Sequence, residues 1–114
     1  MMKQALIGPV LSCLLIGQAY ALDSKAYEGT WTGQLHDGSH LYMSIPAGVT
    51  QGQTVSYSFR DKDQGPQTPT VQKNKIRLDN PSGSYIVIGP AKGNHLPLFW
   101  TDGTHTASTV LTKQ

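Results

Sequence analysis

The chain has 114 residues, a formal charge of +2, one cysteine, 38% apolar and 14% charged side chains. Those figures allow one domain of ordinary size and exclude a multidomain enzyme. Glycine and proline are frequent, with 12 and 7 copies, and the bias toward Ala, Glu, Lys and Leu that marks helical bundles is missing, so a turn-rich β protein is expected.

Met1-Met2-Lys3-Gln4 makes a short positive start, and residues 5–17 form an apolar run interrupted in polarity only by Ser12. With Ala19-Tyr20-Ala21 placing small residues where a signal peptidase reads, this three-part pattern predicts a secretory leader cleaved after Ala21. The run falls short of the roughly 20 residues that a membrane-spanning helix needs. An uncleaved anchor is the alternative. Lipoprotein processing at Val10-Leu11-Ser12-Cys13 fits less well, because the apolar run continues past Cys13. The domain then begins at Leu22, in a secreted or periplasmic compartment. It keeps 93 residues, of which 29 are apolar, with eight basic against seven acidic side chains and no cysteine. It must fold without disulfides, and it has no field to draw it onto nucleic acid or an anionic membrane.

Beyond residue 22 no window repeats apolar residues at helical spacing, whereas period-two alternation recurs about every ten residues. Trp31, Gly33 and Leu35 alternate with polar residues, then Leu41, Met43 and Ile45, then Val55, Tyr57 and Phe59. Val71, Ile76 with Leu78, residues 85–88, Leu96 with Leu98 and Trp100, and residues 107–111 complete about eight strands. Tyr85-Ile86-Val87-Ile88 is apolar on both faces and reads as the most buried strand, while Pro97 belongs where no ladder donor is needed. Turn signals separate the runs at 37–39, 46–53, 61–68, 74, 80–83, 89–94 and 102–103. The expected fold is therefore all-β: about eight short antiparallel strands in a meander, closed as a small up-and-down barrel or, alternatively, stacked as a two-sheet β-sandwich.

Leu35 and Leu41 must share a face, which predicts a three-residue loop Asp37-Gly38-Ser39 with Gly38 at positive φ and His36 opposite His40. His105 falls on the same face as Trp100 near a rim. If a hairpin turns at Asn74, the loops 37–39, 61–68, 80–83 and 102–103 share one end of the barrel.

Residues 27–35, Tyr-Glu-Gly-Thr-Trp-Thr-Gly-Gln-Leu, resemble the opening strand of the calycins, the lipocalin and avidin group. That resemblance implies that Gly29 and Trp31 are structural, with Trp31 packed across one barrel end beside a basic residue of the last strand, here Lys113. Pro81-Ser82-Gly83-Ser84-Tyr85 and residues 99–107 are similar to two signatures of periplasmic C-type lysozyme inhibitors. In those proteins a serine and a lysine enter the lysozyme cleft. Ser82 matches, but Asp102 replaces the lysine, the spacing to Ala107 is one residue longer, and the family's cysteines are missing.

Candidate chemistry is sparse. His36 and His40, paired across a hairpin, with His105 or Asp102 as a third ligand, are the residues that would hold a surface metal, and His95 is the remaining histidine. Neither a nucleophile elbow nor a phosphate loop occurs, and Asp61 and Asp63 beside Lys62 read as solvated turn residues, so no catalytic residue and no cofactor is expected. Binding is the remaining class. Tyr42 and Phe99 have outward parity, and a rim carrying His36, His40, Tyr42, Ser82 and Asp102 is the expected site. Phe99 is alternatively covered by residues 22–27. With Trp31, Trp100, Tyr57 and Phe59 directed inward, so small a barrel is expected to be filled. The expected function is a non-catalytic binding or interaction module. Its partner is a small molecule, a glycan or a secreted protein, and the alternatives are an inhibitor of a secreted hydrolase and a surface metal-binding protein.

Overall fold

The structure, a computed structural model, describes residues 22–114. The expected leader, with its cleavage site and Cys13, lies outside the described residues.

A one-turn helix α1 (Ser24–Tyr27) precedes nine strands: β1 (Gly29–Gln34), β2 (His40–Ile45), β3 (Val55–Phe59), β4 (Lys62–Gln67), β5 (Pro69–Gln72), β6 (Lys75–Asp79), β7 (Tyr85–Ile88), β8 (His95–Thr101) and β9 (Thr106–Lys113). All ladders are antiparallel, in the order β4-β3-β2-β1-β9-β8-β7-β6-β5, and the sheet curls into a nearly closed barrel. Alternation of direction along this order makes β4 and β5 run the same way, with only Thr68 between them. They behave as one bent strand whose first half pairs with β3 and whose second half pairs with β6.

This bend accounts for the strand that the sequence conceals. Residues 61–68 read as a turn, yet Lys62–Gln67 is β4. The segment contains no apolar side chain to mark a face, and it carries Gly65 and Pro66. Both fit an irregular edge: the β3–β4 register shifts between Ser56 and Ser58, and Gly65 takes φ 77° while its N–H donates to Asp63 Oδ1 at 2.8 Å. Gln67, buried at this bend, donates through Nε2 to the Gln64 carbonyl at 3.0 Å.

Elsewhere the alternation translates directly into burial. Leu41, Met43 and Ile45 on β2, Ile76 and Leu78 on β6, Ile86 and Ile88 on β7, and Leu96 and Leu98 on β8 point inward and are buried. On β7 the other face is less covered than its composition predicts, since Tyr85 and Val87 stay half-buried. Pro97 occupies a central strand without disrupting it. Its carbonyl accepts from Gly89 N at 2.9 Å just past the end of β7, so its missing N–H faces a place where that ladder has already stopped.

One barrel end is closed. Leu22, Tyr27 and Val49, the last from a short 3₁₀ turn at Val49–Gln51, plug it together with Trp31. Asp23 caps α1 through the Lys25 N–H at 3.1 Å, and the Tyr27 hydroxyl donates to the Asn74 carbonyl and accepts from Ala91 N at 3.3 Å. Burial pushes the Tyr27 phenol above its ordinary pKa, partly offset by the Ala91 hydrogen bond. Trp31 is wholly buried, donates from Nε1 to the Tyr27 carbonyl at 2.8 Å, and lies under Lys113, whose Nζ is 5.3 Å from the ring centroid. Leu111 crosses β1 at Gly33, where a Cβ would stand 2.6 Å from Leu111 Cδ2, so no larger residue fits without displacing it.

Candidate functional site

At the opposite end the barrel is open. Gln72 pairs with Lys75, so a hairpin does turn at Lys73-Asn74. The β1–β2, β3–β4, β6–β7 and β8–β9 connections consequently share this end. They surround a cavity of about 790 Å³. Leu41, Tyr57, Ile86 and Leu98 form its inner part, and Leu35, Phe59 and Trp100 its upper walls.

The expected filled interior is therefore corrected. Counting inward aromatics overlooked the small and polar residues interleaved with them at this end: Ala107 opposite Trp100, and Asn80 and Ser84 at the β6–β7 turn, all line open space. The β1–β9 ladder also contributes, since it holds only two pairs, both toward the closed end. Nearer the mouth the two strands are joined through Thr109 Oγ1 donating to the Gln34 carbonyl at 2.7 Å.

One polar seam interrupts the apolar wall. Where β4 does not pair with β6, the Tyr57 hydroxyl spans from β3 to donate to Asn80 Oδ1 at 2.8 Å, Asn80 Nδ2 donates to Ser84 Oγ at 2.9 Å, and Ser84 lies 3.2 Å from Ser82 Oγ. Burial pushes the Tyr57 phenol upward in pKa, and its hydrogen bond to Asn80 partly offsets this.

The rim is built by hairpin loops. In the first, Gln34 pairs with His40 and Leu35 N donates to the Ser39 carbonyl, so the loop is His36-Asp37-Gly38. The register differs by two residues from the one expected, which preserves the facing of every side chain but separates His36 from His40. Gly38 does adopt positive φ, at 89°. In the β3–β4 hairpin the two loop residues are Arg60 and Asp61, with φ of 55° and 63°. Arg60 reaches the first loop: its Nη2 is 3.0 Å from Asp37 Oδ2, its Nε donates to Ser39 Oγ at 2.9 Å, and its Cζ stands 4.9 Å from the Phe59 ring centroid. The Ser39 N–H and hydroxyl, followed by Arg60, hold the Asp37 carboxyl at a pKa of about 2.

In the β8–β9 loop Asp102 turns inward on its own hairpin. Its Oδ1 accepts from Thr104 N at 2.8 Å and His105 N at 2.6 Å, and its Oδ2 lies 3.3 Å from His105 Nδ1. Those donors, the backbone ones foremost, bring its pKa to about 2. The position that replaces the inhibitors' lysine is thus occupied by a carboxylate already engaged by the backbone.

The residues singled out from sequence separate into two groups. His36, Ser82, Trp100 and His105 do line the cavity. His40 and Tyr42 face outward on β2, where their rings stack at 6.5 Å, and His40 Nε2 lies 3.2 Å from Gln34 Nε2. They flank a shallow external groove. Phe99 is 39% exposed beside Val87, its partner on β7; residues 22–27, which pack at the closed end, leave it uncovered. His95 starts β8, far along the barrel from the mouth. Among the described residues no group of three or more His, Cys, Asp or Glu side chains is placed to hold a metal ion. Sequence reasoning passed over Arg60, Gln64 and Asn80 as site residues. Phe59-Arg60-Asp61-Lys62 contains no glycine, so nothing in it signalled a two-residue turn that projects Arg60 across the mouth. No protein family, curated protein or solved structure matches the chain.

Proposed function

We propose that this protein is a secreted, calycin-like binding module that takes a small, largely apolar ligand into the open end of its barrel and performs no chemistry on it. The observation that carries this reading is the 790 Å³ cavity. It falls within the roughly 300–1,000 Å³ of small-molecule sites, and it has the combination such sites use: apolar and aromatic walls with a few convergent polar groups. Tyr57, Asn80 and Ser84 supply those groups, already ordered by their hydrogen bonds to one another. The packing of Lys113 over Trp31 and the leader-like residues 1–21 support the calycin-like and secreted parts of the reading.

The test is a fluorescence titration with N-phenylnaphthylamine, a neutral apolar probe that brightens on leaving water. Saturable binding with a shift in tryptophan emission is expected, since Trp100 lines the cavity. Ala107→Phe, which places a ring in the space facing Trp100, should abolish the binding while leaving the fold intact by circular dichroism. Equal binding by wild type and a folded Ala107→Phe variant would reject the cavity as the site.

A further inference from the structure

The reading of the cavity as a ligand site leaves open which chemical class enters it, and the β3–β4 hairpin bears on that question. A two-residue hairpin loop with positive φ at both positions favours Asn-Gly or Asp-Gly, because left-handed backbone costs other residues about 1 kcal/mol or more each. Here Arg60 and Asp61 take those positions. The conformation carries the Arg60 side chain over the ring of Phe59, a wall of the cavity, and across to Asp37 and Ser39 on the first loop.

A guanidinium has five N–H donors. Arg60 uses one on Ser39 Oγ and one on Asp37 Oδ2, and the other three have no partner among the described residues. The acidic groups near the mouth do not compete strongly for them. Asp37 is already satisfied by the Ser39 N–H and by Arg60, Asp102 is folded onto Thr104 and His105, and Asp63 accepts from Gly65 N. Asp61 and Lys62 of the same turn are both exposed and offset one another. His36, His105 and the Tyr57 hydroxyl are the other titratable side chains that line the cavity. The site is thus an apolar and aromatic throat under a planar cation with free donors, and the one carboxylate that lines it, Asp37, is engaged by Ser39 and Arg60.

We infer that the cavity selects apolar acids, molecules with a hydrophobic body of a size to fill the throat and one carboxylate-, sulfonate- or phosphate-type group held at the mouth by Arg60. The body displaces water from Phe59, Trp100 and Leu98, and the acid takes the unused face of the guanidinium in a charge-assisted pair. The Asp37 contact sets the fork's orientation beforehand, and as an exposed ion pair it is weak enough to yield if the acid needs both edges.

This inference rests on the cavity being the site, so the experiment separates the two. Anilinonaphthalene sulfonate and N-phenylnaphthylamine share their ring system and differ by the sulfonate. The purified protein should bind the sulfonate more tightly, and Arg60→Gln should weaken it roughly tenfold, the loss of one exposed charge-assisted contact, while the neutral probe changes less than about twofold. Asp37→Asn, which keeps the acceptor for Ser39 N but removes the competing charge, should tighten the sulfonate and leave the neutral probe alone. It decides the matter if Arg60→Gln does not fold. An unchanged ratio of the two affinities in either folded variant overturns the selection for acids with the cavity site intact. Failure of both probes to bind wild type overturns both readings.

Discussion

Replacing Trp31 by Phe tests how the closed end is held. Trp31 is fully buried, pairs with Met43 and Lys113 on the two flanking strands, and sends its indole N–H to the Tyr27 carbonyl at 2.8 Å. Phenylalanine keeps the strand position and most of the apolar contact, so the lost ring volume costs about 1–2 kcal/mol by analogy with other partial truncations in cores. The Tyr27 carbonyl, left without its donor in a buried place, costs about another 1–3 kcal/mol. The Lys113 contact weakens but survives, because a smaller ring still faces the ammonium. The expected total is about 3 kcal/mol, which for a domain of this size lowers the melting temperature by roughly 12–24 °C. Urea denaturation followed by the emission of Trp100, with circular dichroism as the second probe, measures it. A loss below about 1 kcal/mol would refute the reasoning, because it would mean that neither the hydrogen bond nor the volume matters there. The variant should bind the apolar probe like wild type, since Trp31 sits at the opposite end from the mouth.

Two further outcomes follow from the rim loops. Asp61 has φ 63° and its side chain is exposed, so Asp61→Gly relieves left-handed strain and should raise stability by about 0.5 kcal/mol after the entropy cost of glycine in the unfolded chain. A urea midpoint lower than that of wild type would contradict it. Asp37 and Asp102 have pKa values near 2 against an ordinary 3.8, so the folded state holds fewer protons than the unfolded one in between. The stability they contribute is complete above pH 3.8 and is lost as pH falls toward 2. Urea midpoints at pH 5, 3 and 2 should therefore drop less steeply in Asp37→Asn/Asp102→Asn than in wild type, and parallel curves would exclude those two carboxylates as the cause.

The sequence by itself determined the parts of this protein that depend on local pattern. Period-two alternation marks β1, β2, β3, β6 and β8, because an inward apolar face must repeat every second residue whatever the partners, and β7 stands out as a continuous apolar run. It places the rim loops together only on condition of a hairpin at Asn74, which the pairing of Gln72 with Lys75 supplies.

Tertiary structure decided what no local pattern encodes. β4 has no apolar side chain, so its strand character comes entirely from pairing with β3 and from the bend at Thr68 that carries it on into β5. The first hairpin slipped by two residues because parity, the only constraint that burial imposes, is indifferent to that slip. The open cavity arose because filling a barrel depends on which side chains meet across it. Ala107 stands beside Trp100 on the neighbouring strand, and the volume they leave is a property of the pair rather than of either residue. Arg60 became a rim residue through pairing as well: its reach to Asp37 joins two loops 23 residues apart, a contact that the β2–β3 ladder brings to 3.0 Å.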